Sequence, residues 1–139
     1  MHVSFALFAD AANLSVEGKL NVLGVFDAVQ VGSLPTVHRR ATLVVHLKGD
    51  RDDVGTHQLV LRWLNPSGSE LWMSRGEVQV QAPPETGMMD LPVIAAVDLP
   101  LDQPGAYRMH VELDQGPAAS VPLHVHAPLP AVAPGTLLS

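Results

Sequence analysis

Cysteine is absent from this chain of 139 residues, which removes disulfides, thiolate nucleophiles and sulfur-ligated metals and leaves the redox compartment open. Charge is scarce as well. Asp, Glu, Lys and Arg make up 16% of the sequence, and 14 acidic against 8 basic side chains give a formal net charge of −6. Such a balance repels phosphate backbones and anionic headgroups, so neither nucleic acid nor direct insertion into lipid is an expected mode of binding. No apolar run approaches the roughly twenty residues that cross a bilayer. The short apolar run over residues 3–9 has no Lys or Arg before it and is broken by Asp10. It lacks the form of a secretory signal, and the cytoplasm is the expected location. Catalytic signatures are missing too: there is no G-x-S-x-G, H-E-x-x-H or G-x-G-x-x-G, and Gly18-Lys19 lacks the Ser or Thr of a phosphate loop. The expectation is a protein that is not an enzyme and holds no cofactor.

Apolar residues are plentiful, at 47%. A single domain of this length buries about two-thirds of its unfolded surface, which suffices for an unaided core. The apolar content excludes intrinsic disorder, and what the core does not absorb is left for a partner.

The periodicity is that of strands throughout, and no convincing amphipathic helix interrupts it. Residues 3–10 and 20–27 alternate, yet both of their faces are largely apolar, which predicts central strands covered on two sides. Asp10 and Asn13, at the end of the first segment, read as turn formers that bond backbone groups. Residues 40–48 place Leu43, Val45 and Leu47 on one side, and residues 57–64 align Leu59, Leu61 and Trp63. Asn65-Pro66-Ser67-Gly68 then turns the chain into residues 70–80, a predicted hairpin. Beyond a Pro-rich loop over 82–87, Leu91, Val93, Ala95, Val97 and Leu99 share a face, and Pro92 marks an edge strand. Residues 107–113 and 118–126 complete the set. The expected fold is an all-β antiparallel β-sandwich, immunoglobulin-like or similar, of about eight strands. It occupies residues 1–126, and residues 127–139, with three prolines, form an extended Pro-rich tail.

The opening S-F-A-L-F-A-D-A-A-N over residues 4–13, followed by G-K-L-N-V-L-G from Gly18, resembles the start of a family of short bacterial β-sandwich proteins of unknown function. The resemblance implies a fold and an intracellular location, and it transfers no catalytic residue. Separately, Pro104-Gly105-Ala106-Tyr107 leading into Val111 is similar to the tyrosine-corner strand of immunoglobulin-like sandwiches, in which a phenol anchors a neighbouring loop.

Candidate chemistry is limited. His124 and His126 form an H-x-H pair on one strand face, and His110 with Glu112 offers further ligands, so these four are the candidate metal site. Val121, Leu123 and Val125 claim the inward face, which turns the histidines to solvent. His2, His38, His46 and His57 are scattered and read as surface residues. Residues 49–53, with Asp50, Asp52 and Asp53, resemble a calcium-binding loop that Asp98 and Asp102 can join, or else a solvated turn. Trp63 and Trp72 flank the hairpin turn, as a stacking platform or as core.

The function class that accounts for most of this is a protein–protein interaction module, an accessory or structural subunit of a larger assembly. Its partners are other subunits or a second copy, soluble or on the cytoplasmic side of a membrane protein complex. The expected contact residues are Leu129, Val132, Leu137 and Leu138 of the tail, with Leu64 and Met73 as a second exposed patch. The alternatives are a small-ligand or metal-binding sandwich using the His110, His124, His126 face, and an enzyme of unrecognised type.

Overall fold

The computed structural model describes residues 1–81 and 87–128. Residues 82–86 of the Pro-rich loop and the tail from 129 onward lie outside the described residues. Among the described residues nine strands follow in order: β1 (His2–Leu14), β2 (Leu20–Phe26), β3 (Ala28–Gln30), β4 (Thr36–Gly49), β5 (Gly55–Leu64), β6 (Glu70–Val80), β7 (Met89–Leu101), β8 (Gly105–Leu113) and β9 (Gly116–His126). They form two sheets, one of four strands in the order β2-β1-β4-β7 and one of five in the order β3-β9-β8-β5-β6. All pairings are antiparallel except that of β3 with β9, which is parallel. The expected β-sandwich is therefore present. The strand that the sequence did not reveal is β3, whose three residues are too few to show a period.

The core lies between the sheets. Phe8, Leu43, Val45 and Leu47 enter from the four-stranded sheet, and Leu59, Trp63, Tyr107, Met109 and Leu123 from the five-stranded one. Trp63 is completely buried. Its ring stacks on Tyr107 with centroids 5.2 Å apart, meets Phe8 edge-on at 6.0 Å, and its indole N–H donates to the Pro100 carbonyl at 2.9 Å. Core packing is thus the role of Trp63. Trp72 is half-buried, and its indole N–H donates to the carbonyl of Asp98 at 3.0 Å, tying β6 to β7 across the side of the sandwich. Neither tryptophan forms a platform.

The β5–β6 hairpin closes as the sequence predicts. Asn65 accepts from Gly68 N–H through its backbone carbonyl and from Ser69 N–H through its side chain, both at 2.9 Å. The tyrosine-corner reading also holds. Tyr107, at the start of β8, accepts from the backbone N–H groups of Asp102 at 2.8 Å and Gln103 at 2.9 Å. The order β9-β8-β5-β6 follows the G-F-C-C′ order of an immunoglobulin sheet, with Tyr107 on the strand that carries the corner there.

Two expectations need correction. Asp10 and Asn13 are not turn formers: β1 runs on to Leu14, and the turn is made by Ser15, whose hydroxyl accepts from Lys19 N–H at 3.0 Å. Asn13 instead accepts from the Asn21 side chain across the β1–β2 ladder at 3.0 Å. The Asp10 carboxyl group lies over Gly24, whose φ of 69° and lack of a side chain make room for it; a Cβ there would collide with that carboxyl. The second correction concerns the two apolar faces of β1 and β2. β2 is an edge strand, and only the inner face of this hairpin is covered. Among the described residues no third layer packs on the other side.

Candidate functional site

The structure does not gather the four residues of the histidine face. His124 and His126 are exposed and alternate with buried Leu123 and Val125, as the sequence indicates. His110 on β8, however, stands opposite Ser120, whereas His124 stands opposite Ala106. Four residues of strand rise, about 13 Å, separate the two positions. Glu112 is engaged elsewhere: it accepts from Arg62 Nε at 2.8 Å, and the same guanidinium donates to Glu70 at 2.8 Å. Among the described residues no group of three or more His, Asp or Glu is placed to hold a metal ion.

The acidic loop is also committed to internal bonds. It forms a short 3-10 turn, Arg51–Asp53, capped by Asp50. Asp53 accepts from the Met1 ammonium at 2.6 Å and from Asp50 N–H at 2.9 Å, and the ammonium's hydrogen bond holds its carboxyl below the usual range. Asp98 and Asp102 are not part of this loop. Asp98 accepts from Arg40 N–H at 2.9 Å. Asp102 accepts from the Asn65 amide at 2.9 Å and from the Tyr107 hydroxyl at 2.7 Å, and these bonds, the first above all, depress its pKa.

Of the scattered histidines only His2 is exposed. His38 packs on Phe26 and His46 stacks on Phe5, with centroids 5.5 and 4.9 Å apart. His57 is a clip rather than a surface residue. Its Nδ1 lies 2.5 Å from the Asp114 carboxylate and its Nε2 lies 2.6 Å from the Asp53 carbonyl, so it ties β5 to the β8–β9 turn and to the capped loop. Both ring nitrogens donate only when the ring is protonated. The Asp114 hydrogen bond raises the His57 pKa above its ordinary 6.5, and the backbone bond to Asp53 adds to this. Asp114 is correspondingly lowered by its bond from His57. A raised folded-state pKa means that the stabilisation is complete below pH 6.5 and fades as pH rises through the folded value. We therefore expect His57→Gln to cost about 1 kcal/mol at pH 6 and clearly less at pH 9, read as the midpoint of urea unfolding. An equal loss at both pH values would show that packing, not protonation, is what His57 supplies.

The two outer faces differ sharply in chemistry. The five-stranded sheet presents Arg62, Glu70, Arg75, Glu77, Arg108 and Glu112 outward, with Arg62 bridging two carboxylates. Met73 on this face is 40% exposed, while Leu64 is only half-buried and less available than the sequence suggests. Leu129, Val132, Leu137 and Leu138 lie outside the described residues.

The outer face of the four-stranded sheet is apolar. Its cross-strand rows follow from the register: Phe5, His46 and Pro92; then Leu7, Val44 and Ile94; then Val25, Ala9, Thr42 and Ala96; then Leu23 and Ala11. None of these twelve positions carries an aspartate, glutamate, lysine or arginine. Leu23 is 70% exposed, Val25 60%, Phe5 40% and Ile94 37%. Beneath them Val44 and Ala9 are completely covered by their neighbours although they point away from the core. The rows extend about 20 Å along the strands. At one margin Asp90 lies 3.9 Å from both His46 and Lys48, which places charge at the rim rather than inside. His46 Nδ1 is buried beneath Phe5 without a hydrogen-bond partner among the described residues. The signal for this face was present in the sequence as the double apolarity of the first two strands.

The chain matches a family of unknown function, DUF6941, over residues 4–126. It belongs to that family. The DUF6941 match runs from β1 to the end of β9, so both outer faces and the His57 clip lie within it, and it reaches well past the opening that carries the sequence resemblance. The tail candidates Leu129, Val132, Leu137 and Leu138 fall beyond the DUF6941 match. No curated protein matches the chain.

Proposed function

We propose that this protein is a non-enzymatic protein–protein interaction module, an accessory or structural subunit that docks through the outer face of its four-stranded sheet. The observation that supports this reading is the contrast between the faces: one is laced with ion pairs, the other is a continuous field of Phe5, Leu7, Leu23, Val25 and Ile94 without a charge. Interface cores are depleted in charge and enriched in large apolar residues, whereas ordinary solvated sheet faces alternate with polar ones. The ring nitrogen of His46 at this face, which has no hydrogen-bond partner among the described residues, is a polar group that a partner can satisfy. Asp53, Asp102 and Glu112, which the sequence offered for chemistry, are held in structural bonds instead. The proposed setting is the cytoplasm, free or attached to a membrane complex through a protein partner. Among the described residues no helix is long and apolar enough to cross a membrane.

The test is a paired substitution, Leu23→Asp with Val25→Asp, compared with Met73→Asp on the opposite face. The first pair is exposed, so the fold persists with a melting temperature within a few degrees. Association, with itself by light scattering after size exclusion or with co-eluting chains from native extract, weakens at least about tenfold. Unchanged association in the pair, together with loss in Met73→Asp, would move the interface to the five-stranded sheet and overturn the reading.

A further inference from the structure

Among the described residues, the side of the sandwich between edge strands β6 and β7 is incompletely closed. The inward positions of β6 are Trp72, Ser74 and Gly76, in register with Trp63, Leu61 and Leu59 of β5, and Val78, which packs on the core. On β7 they are Leu91, Val93, Ala95 and Val97. The large members of both sets pack on the core, but the middle of the window is faced by Ser74, Gly76 and Ala95, three small residues where leucine or valine would have closed it. The result is a cleft of about 180 Å³ that reaches in to Leu43, Val45, Leu59 and Leu61. Protein interiors rarely leave voids larger than a water molecule, and an apolar void of about 150 Å³ stays dry and accepts benzene.

We propose that this window binds a compact, uncharged, apolar molecule of about one aromatic ring. Three observations define the ligand. The walls are aliphatic, and the Ser74 hydroxyl is the one polar side chain at an inward position; Arg75 borders the cleft from the outward face of β6. The window is bounded at one end by the Trp72 indole bonded to the Asp98 carbonyl, and toward the other by Val78 and Leu91 packed on the core. A cleft bounded at both ends takes a compact group, not an extended chain. Gly76 has neither a left-handed backbone nor any atom within 4 Å of where a Cβ would stand, so nothing about the backbone or its neighbours demands glycine there. Its smallness serves the opening.

The cleft lies on the inner side of β4 and β7, opposite the outer face proposed for docking, and its test does not depend on that reading. Benzene and indole are titrated into the full chain, with glucose as a polar control, while methyl resonances are followed. The expected result is saturable shifts of the Leu43, Val45, Leu59, Leu61 and Val93 methyls with Kd about 1 mM or tighter, and none with glucose. Gly76→Val and, from the opposite wall, Ala95→Ile fill the cleft; each weakens binding at least tenfold, and Gly76→Val also raises the melting temperature. Wild-type affinity in both folded variants, or shifts confined to methyls elsewhere, would overturn the proposal.

Discussion

Trp63→Ala is expected to remove about 3–5 kcal/mol of stability, a large part of the roughly 5–15 kcal/mol available to a domain of this size. The side chain is fully buried at the junction of the two sheets. It is in contact with Phe8 from the four-stranded sheet and Tyr107 from its own, so truncation leaves a cavity that neither rigid sheet can collapse into. The indole N–H is also the donor to the Pro100 carbonyl near the end of β7, which then loses its partner. Trp63→Phe keeps the ring contacts but not the donor and is expected to lose about half as much. Chemical denaturation followed by far-UV circular dichroism reads both. A loss below about 1 kcal/mol in the alanine variant would mean that the sheets are not locked at this point.

Tyr107→Phe is expected to cost about 2–3 kcal/mol for the removal of one oxygen atom. That oxygen accepts two backbone N–H groups, of Asp102 and Gln103, in a buried corner, and donates in return to the Asp102 carboxylate or the Gln103 carbonyl. Phenylalanine fills the same volume, so the cost is that of stranding the two amides rather than of making a hole. The Asn65 amide shares the Asp102 carboxylate, which couples the β5–β6 turn to the β7–β8 connection. The variant should therefore show faster amide hydrogen exchange at residues 65–69 as well as at 102–105, while β1 and β2 stay protected. Exchange unchanged at the β5–β6 turn would separate the two loops.

Much of this fold was legible because its strands obey simple alternation. Leu43, Val45 and Leu47, or Leu59, Leu61 and Trp63, point inward as their period dictates, and Pro92 lies on an edge strand as a residue without an N–H must. The tyrosine corner was legible from Pro104 to Tyr107 because a short-range hydrogen-bond motif leaves a short-range spacing. What escaped depends on register between distant strands. His110 and His124 share a sheet face, but only the β8–β9 pairing shows that they stand about 13 Å apart. Likewise His57 finds Asp114 through the pairing of β5 with β8, which no local pattern encodes. The apolar outward positions of β1 and β2 are visible in the sequence, but alternation reports apolarity and not what covers it, so it predicts burial for Leu23 and Val25, which are exposed.

The parallel contact of β3 with β9 has a consequence for how the chain comes off the ribosome. Ala28 pairs with His124, and Asp27 accepts from His124 N–H at 2.8 Å, so an early segment waits for β9 to be translated. β9 lies between β3 and β8, which keeps the larger sheet incomplete until synthesis of the domain is almost finished. Nascent chains of this protein should consequently depend on holding factors for most of their elongation time, and acquire protease resistance late and in one step.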